Sequence, residues 1–229
     1  MSNYRTAEEA KLDYIKCMGE PLGKLFHALW QEVAWLHSKW SEYVELFGTK
    51  PSRIDLLNES APLFFKIVQD LLWEDTILHI ARLTDCPKSV GKDNLTIRAI
   101  PDLMDDRDKA RAISTLIQIA VQASDFCRDW RNRHIAHRDL KLAIEEGIAP
   151  LKPASREKVK KALHSIDEVL NAVTQLYSES TTVFDIGGYS EGAVSLLHIL
   201  DDGVRARRER QERIRRGEIR EGDLEPRNV

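Results

Sequence analysis

Cysteine is scarce in this sequence. The three residues Cys17, Cys86 and Cys127 lie far apart and form no Cys-x-x-Cys pair, which excludes a disulfide framework and a thiolate zinc site. A reducing compartment fits that usage. No apolar run reaches the roughly 18 residues that a bilayer span needs, and the opening Met1-Ser-Asn-Tyr-Arg5 has no apolar signal core. The expected location is therefore the cytoplasm, with no membrane contact. No glycine-rich cradle precedes a helix, so a nucleotide-binding loop is not expected. Positive charge is not in excess either: 34 Lys and Arg stand against 37 Asp and Glu, for a net charge of -3. Any contact with a polyanion must come from local basic surface.

What is present is an ordinary globular composition, 42% apolar and 31% charged over 229 residues, enough for one good core with or without an appendage. The apolar residues recur at three-four spacing, and no strand-like alternation or repeat competes with that pattern. Thr6 and Glu9 form a capping box for a short helix over 5–20. Leu22, Leu25, Phe26, Leu29, Val33, Leu36, Trp40, Val44 and Phe47 make one stripe over 22–47, ended by Gly48. Trp30 and Trp40 fall on that stripe as packing residues, and Trp35 falls off it, as an interface residue would.

Phe64, Ile67, Val68, Leu71, Leu78 and Ala81 give a helix over 62–84 with these residues on its core side, followed by an exposed loop from Lys88 to Asn94. After a short helical segment broken at Pro101, a helix is expected over 107–135. Gly147, Pro150 and Pro153 make a loop, and Ser155 caps a long helix that Gly187-Gly188 stops. A small apolar helix, 193–200, precedes an Arg-rich stretch in which Glu209/Arg213 and Glu212/Arg216 sit at i, i+4. The expected fold is all-α: an antiparallel bundle of four long helices with peripheral short ones over residues 1–203, then an Arg/Glu-rich helix or tail over 204–229.

The candidate site is Arg131-Asn-Arg-His-Ile-Ala-His137 at the end of the 107–135 helix. At about 100° per residue Arg131 falls on the apolar side of that helix, where a guanidinium needs a carboxylate. Glu74 and Asp75, which flank the stripe of the preceding helix, are the expected partners. His134 lies one turn beyond Arg131, and His137 lies where helix gives way to loop, next to Arg138 and Asp139. Imidazole both takes and gives a proton near neutral pH, and an arginine binds a phosphate bidentately, so the pattern suits phosphodiester chemistry. The same residues have plainer roles open to them: Arg131 as a bundle-fixing bridge, His137 as a helix-end group that meets carbonyls. His134-x-x-His137 with Asp139 lacks a further strong ligand at close spacing, so the site is read as metal-free and without cofactor.

Arg131-Asn132, the spacer Arg133-His134-Ile135-Ala136 and His137 resemble the signature of the HEPN superfamily. With Ala81-Arg-Leu-Thr-Asp85 and Gly187-Gly188 before a short apolar helix, the chain resembles its abortive-infection U-type branch over most of residues 5–203. The resemblance implies metal-independent RNA cleavage by a homodimer whose two motifs face one cleft. Arg131 and His137 would be the catalytic pair and Asn132 the residue that orients them, with Arg133, His134, Arg138, Asp139, Glu74 and Asp75 in binding or supporting places. It also implies an antiphage or toxin role, with an antitoxin or another regulatory partner. Some HEPN toxins that are silenced by nucleotidyl transfer carry a Tyr two residues after the His, where this chain has Asp139, so that route of silencing is not expected. The alternative is a non-catalytic helical module that binds RNA, a nucleotide or a protein, because one fold serves both uses.

Overall fold

A computed structural model describes residues 6–89, 91–137, 139–144, 149–184 and 192–225, and these are predominantly helical. The first helix, α1 (Ala7–Met18), opens on the capping box read from the sequence. Thr6 Oγ1 accepts from Glu9 N at 3.2 Å, and the Glu9 carboxylate accepts from Thr6 N at 2.8 Å. Gly19 turns the chain at φ 82°, and α2 (Glu20–Phe47) starts at once. A Cβ at Gly23 would lie 2.6 Å from the backbone of Ile15, so only glycine lets α1 cross α2 this closely.

Then come α3 (Pro51–Ser60), unforeseen in the sequence and begun by Pro51 at its first position, and α4 (Pro62–Leu83). The expected loop after α4 is a small antiparallel hairpin of β1 (Lys88–Ser89) and β2 (Lys92–Asp93), with both strands exposed. Two 3-10 turns, Ile97–Ala99 and Pro101–Leu103, lead to the second half of the chain.

The helix expected over 107–135 is three pieces. The first, α5 (Arg107–Ala123), ends at buried Ser124, whose hydroxyl bonds back to Ala120 O at 2.7 Å and draws the backbone out of register. The second, α6 (Asp125–Trp130), passes into a π-helical turn over Arg131–Ile135, closed by Ala136 N to Arg131 O at 2.8 Å. After α7 (Leu140–Ala143) comes α8 (Arg156–Ser178), capped by Ser155 Oγ on Lys158 N. It stops short of Gly187-Gly188 because Glu179 is left-handed (φ 47°) and the chain folds back. Asn171 then holds both Thr182 N and Thr182 O. Gly147 and Gly187-Gly188 lie outside the described residues. The apolar segment at 193 and the Arg-rich stretch form one helix, α9 (Ala193–Arg215).

The chain gathers into two compact units, residues 1–40 with 73–186, and residues 41–72 with 187–229. In the first, α5 lies along α8, and α1 also packs on α8. Its core takes Phe26, Leu29, Val33 and Leu36 from α2, Ile77, Ile80 and Ala81 from α4, Ile113 and Ile117 from α5, and Val159, Leu163, Ile166 and Leu170 from α8. His37 on α2 meets Asp167 on α8 at 2.8 Å, so α2 and α8 are also tied by a buried polar pair. In the second unit, α3 packs on α9 around Leu46, Leu57, Phe65, Ala193 and Leu197. Glu42 accepts from Ala193 N at the start of α9, which satisfies one of its free donors.

One apolar stripe turns out differently from its sequence reading. Phe64, Ile67 and Leu71 are exposed, whereas Val68 packs as expected, joined by buried Phe65 and by Leu72. In the segment 63–72 only Lys66, Gln69 and Asp70 are polar, so the apolar arc is too wide for periodicity to select which part of it packs. Trp40 is buried and Trp35 is exposed, in line with the reading of α2.

Candidate active site

The motif occupies the π-helical turn that ends α6, a local widening that is frequent at functional sites. Arg131 is 21% exposed at its side chain, and its partner is Asp85, not Glu74 or Asp75: Nη1 donates to Asp85 Oδ2 at 2.5 Å. Arg131 Nε donates to Asn132 Oδ1 at 2.9 Å, so the polar residue after the arginine contacts it. A guanidinium has five N–H donors. With Nε and one Nη1 hydrogen engaged, the outer edge still has hydrogens to offer an anion.

The carboxylates expected to hold Arg131 have other work. Asp75 pairs with Lys39, and Glu74 lies 3.4 Å from His134 Nε2, so Glu74 does belong to the motif, through its histidine. The reason is placement along α4. Glu74 and Asp75 sit more than two turns before its end, whereas Asp85 lies just past the end, beside the π turn. His134 also stands edge-on to Trp130, with ring centroids 5.5 Å apart.

Asp85 is itself held. The Thr96 hydroxyl lies 2.9 Å from both Leu83 O and Asp85 O, and the Thr84 hydroxyl donates to Ile80 O at 2.9 Å. Arg128 reaches across from α6 to Thr84 Oγ1 at 3.3 Å. These contacts fix the end of α4 against the motif-bearing segment.

Arg133 and Asp139 are placed as structural groups. Arg133 meets Asp129 at 3.3 Å and donates to the carbonyls of Ala149 and Pro150. Asp129 accepts from Lys152 N at 2.8 Å, and Trp130 Nε1 donates to Lys152 O at 2.9 Å. The 149–152 segment is thereby stitched to α6. Asp139 caps α7 by accepting from Lys141 N and Leu142 N. His137 is exposed at the end of the motif, and among the described residues no hydrogen bond or ion pair joins it to Arg131. Arg138 lies outside the described residues.

Asp85 also lines a cleft of about 260 Å³ with Glu32, His79, Arg82 and Asn94. His79 is 6% exposed. Its burial, and then the Lys39 ammonium at 3.2 Å, push its pKa below the ordinary imidazole value, while Glu32 and Asp75 act the other way. Its Nε2 lies 2.8 Å from Glu32 Oε2, off the line of a well-formed hydrogen bond.

Among the described residues, no three or more His, Cys, Asp or Glu side chains gather as a metal-ion cage, and no helix is long and apolar enough to cross a membrane. In the Arg-rich α9, Arg205, Arg207 and Arg208 each meet a carboxylate, as does Arg216 just past its end, and Arg213 meets Asp223 rather than Glu209.

The AbiU2 family of HEPN domains matches residues 19–195, which span more than three quarters of the chain and include both Asp85 and the whole Arg131–His137 motif. The chain belongs to this HEPN family. No curated protein and no solved structure gives a significant match. The residues missed were Asp85, Glu32, His79 and Lys39. A signal for Asp85 was there: a lone carboxylate just past a helix end, in the same Ala81–Asp85 segment that carries part of the family likeness. No signal marked Glu32, which is one charged residue among many on α2.

Proposed function

We propose that the chain is a metal-independent RNA endonuclease of the HEPN type, acting in antiphage defence or as a toxin effector. The observation that carries this reading is Arg131, held by Asp85 and Asn132 with no further hydrogen bond among the described residues, inside a motif that falls within the family match. In the reaction a base takes the proton of the ribose 2'-OH, the 2'-oxygen attacks phosphorus, and the 5'-oxygen leaves with a proton from an acid. The products are a 2',3'-cyclic phosphate and a 5'-hydroxyl. His137 is assigned the proton transfers, and Arg131 the added negative charge on the five-coordinate phosphorus. In a homodimer with two facing motifs, one His137 serves as base and its counterpart as acid.

A second reading has an observation of its own. A half-buried Arg131 paired to Asp85 is also what a bundle-fixing arginine makes, and it fits a helical module that binds RNA or a protein without cutting. Wild-type protein and His137→Ala, both checked for folding, are incubated with total RNA in excess EDTA, and the ends are mapped. Discrete fragments with 2',3'-cyclic phosphate ends that vanish in the variant are the expected result. No cleavage by either protein leaves the binding module in front, and equal cleavage by both means that His137 is not the catalytic group.

A further inference from the structure

Lys39 on α2 carries the argument from the buried core to the cleft beside Arg131. Its ammonium is paired with Asp75 and lies 3.2 Å from His79 Nδ1. An ammonium only donates, so Nδ1 accepts, and the ring proton sits on Nε2. That buried N–H stands 2.8 Å from Glu32 Oε2. The run Asp75, Lys39, His79, Glu32 therefore ends in a carboxylate that lines the cleft, with one oxygen close to the ring N–H but not in line with it.

The remaining cleft groups are acceptors too. Asp85 has one oxygen on Arg131, and Asn94 uses its amide hydrogens on Cys86 O and Ser89 Oγ, which leaves its carbonyl. Leu83 and Leu95 give apolar surface, and Arg82 on the exposed side gives positive charge. The cleft is smaller than the roughly 300–1,000 Å³ of drug-sized sites and suits a single flat ring system. What fits is a planar group with adjacent N–H donors on one edge and an anion attached outside. Guanine presents N1–H and its 2-amino group side by side. Adenine and cytosine set an acceptor beside their amino group, and uracil sets a carbonyl on each side of its one N–H, so each would face a carboxylate with an acceptor.

We propose that this cleft is the base-reading subsite of the ribonuclease, taking a guanine of single-stranded RNA with Glu32 on its Watson–Crick edge and Arg82 near the adjoining phosphate. The inference rests on the nuclease reading for its biological sense, but base recognition is measurable without catalysis.

The test titrates 5'-GMP, 5'-AMP, 5'-CMP and 5'-UMP into the full chain by calorimetry, for wild type, Glu32→Gln and Arg82→Ala, with circular dichroism as the folding check. GMP is expected to bind at least ~10-fold tighter than the other three, because donors meet acceptors only there. Glu32→Gln should abolish that difference, and Arg82→Ala should weaken all four while keeping their order. Equal binding of the four nucleotides, or none at millimolar concentration, overturns the subsite whatever the RNA assay gives. A GMP preference that survives Glu32→Gln overturns it as well. A GMP preference that Glu32→Gln removes, in a protein that cuts no RNA, upholds the subsite and moves the failure to the nuclease reading.

Discussion

At the scale of single residues, the candidate site turns on a charge pair that neither partner can leave without cost. Asp85 and Arg131 are both mostly shielded, at 28% and 21% side-chain exposure. Removing the carboxylate strands a half-buried guanidinium. Asp85→Asn is expected to lower unfolding free energy by about 1–2 kcal/mol, and Arg131→Ala by a similar amount. The double variant should cost less than the sum, a coupling that a double-mutant cycle in urea reads directly. His79 gives a second prediction, with a sign. Burial first and Lys39 second hold its pKa below 6.5, whereas Glu32 and Asp75 oppose them. The unfolded chain then binds more protons than the native state as pH falls below 6.5, so the native state loses stability there and has it in full above. Thermal midpoints should fall from pH 7 toward pH 5, and His79→Gln should flatten that part of the profile.

At the scale of elements, the departures from a straight reading have local causes. Ser124 and the π turn divide what periodicity presents as one helix, and the division sets Arg131 against the end of α4. In α4 the exposed and packed faces make a stability prediction that separates the two possible stripes. Phe65 is 5% exposed and Ile67 is 49% exposed. Phe65→Ala should cost about 3–5 kcal/mol, as buried aromatic truncations do. Ile67→Ser should stay within about 0.5 kcal/mol of wild type. Denaturant midpoints for the two variants decide it, and the reverse order would restore the face expected from sequence.

At the scale of the molecule, charge is nearly balanced at -3, and the basic helix α9 has several of its arginines already matched to carboxylates. The proposed nucleic-acid footprint thus rests on local groups such as Arg131 and Arg82 more than on a general field. The proposed two-fold arrangement of motifs predicts a solution mass twice the 26.3 kDa of one chain. Sedimentation equilibrium on the purified protein checks this, and a strictly single-chain mass under assay conditions would remove the composite site.

The amino-acid pattern by itself determined that the chain is helical, where most of its helices begin, and that Arg131 and His137 lie in one motif. Those properties follow from short-range rules: three-four spacing, caps such as Thr6 and Ser155, and the run of residues from 131 to 137. The partner of Arg131, the face of α4 that packs and the cleft behind Asp85 were decided only by tertiary structure. Asp85 is 46 residues from Arg131, and Glu32 is 47 from His79. Where a helix is apolar over most of its circumference, or several carboxylates lie within reach, sequence supplies more candidates than contacts, and packing of the whole unit selects among them.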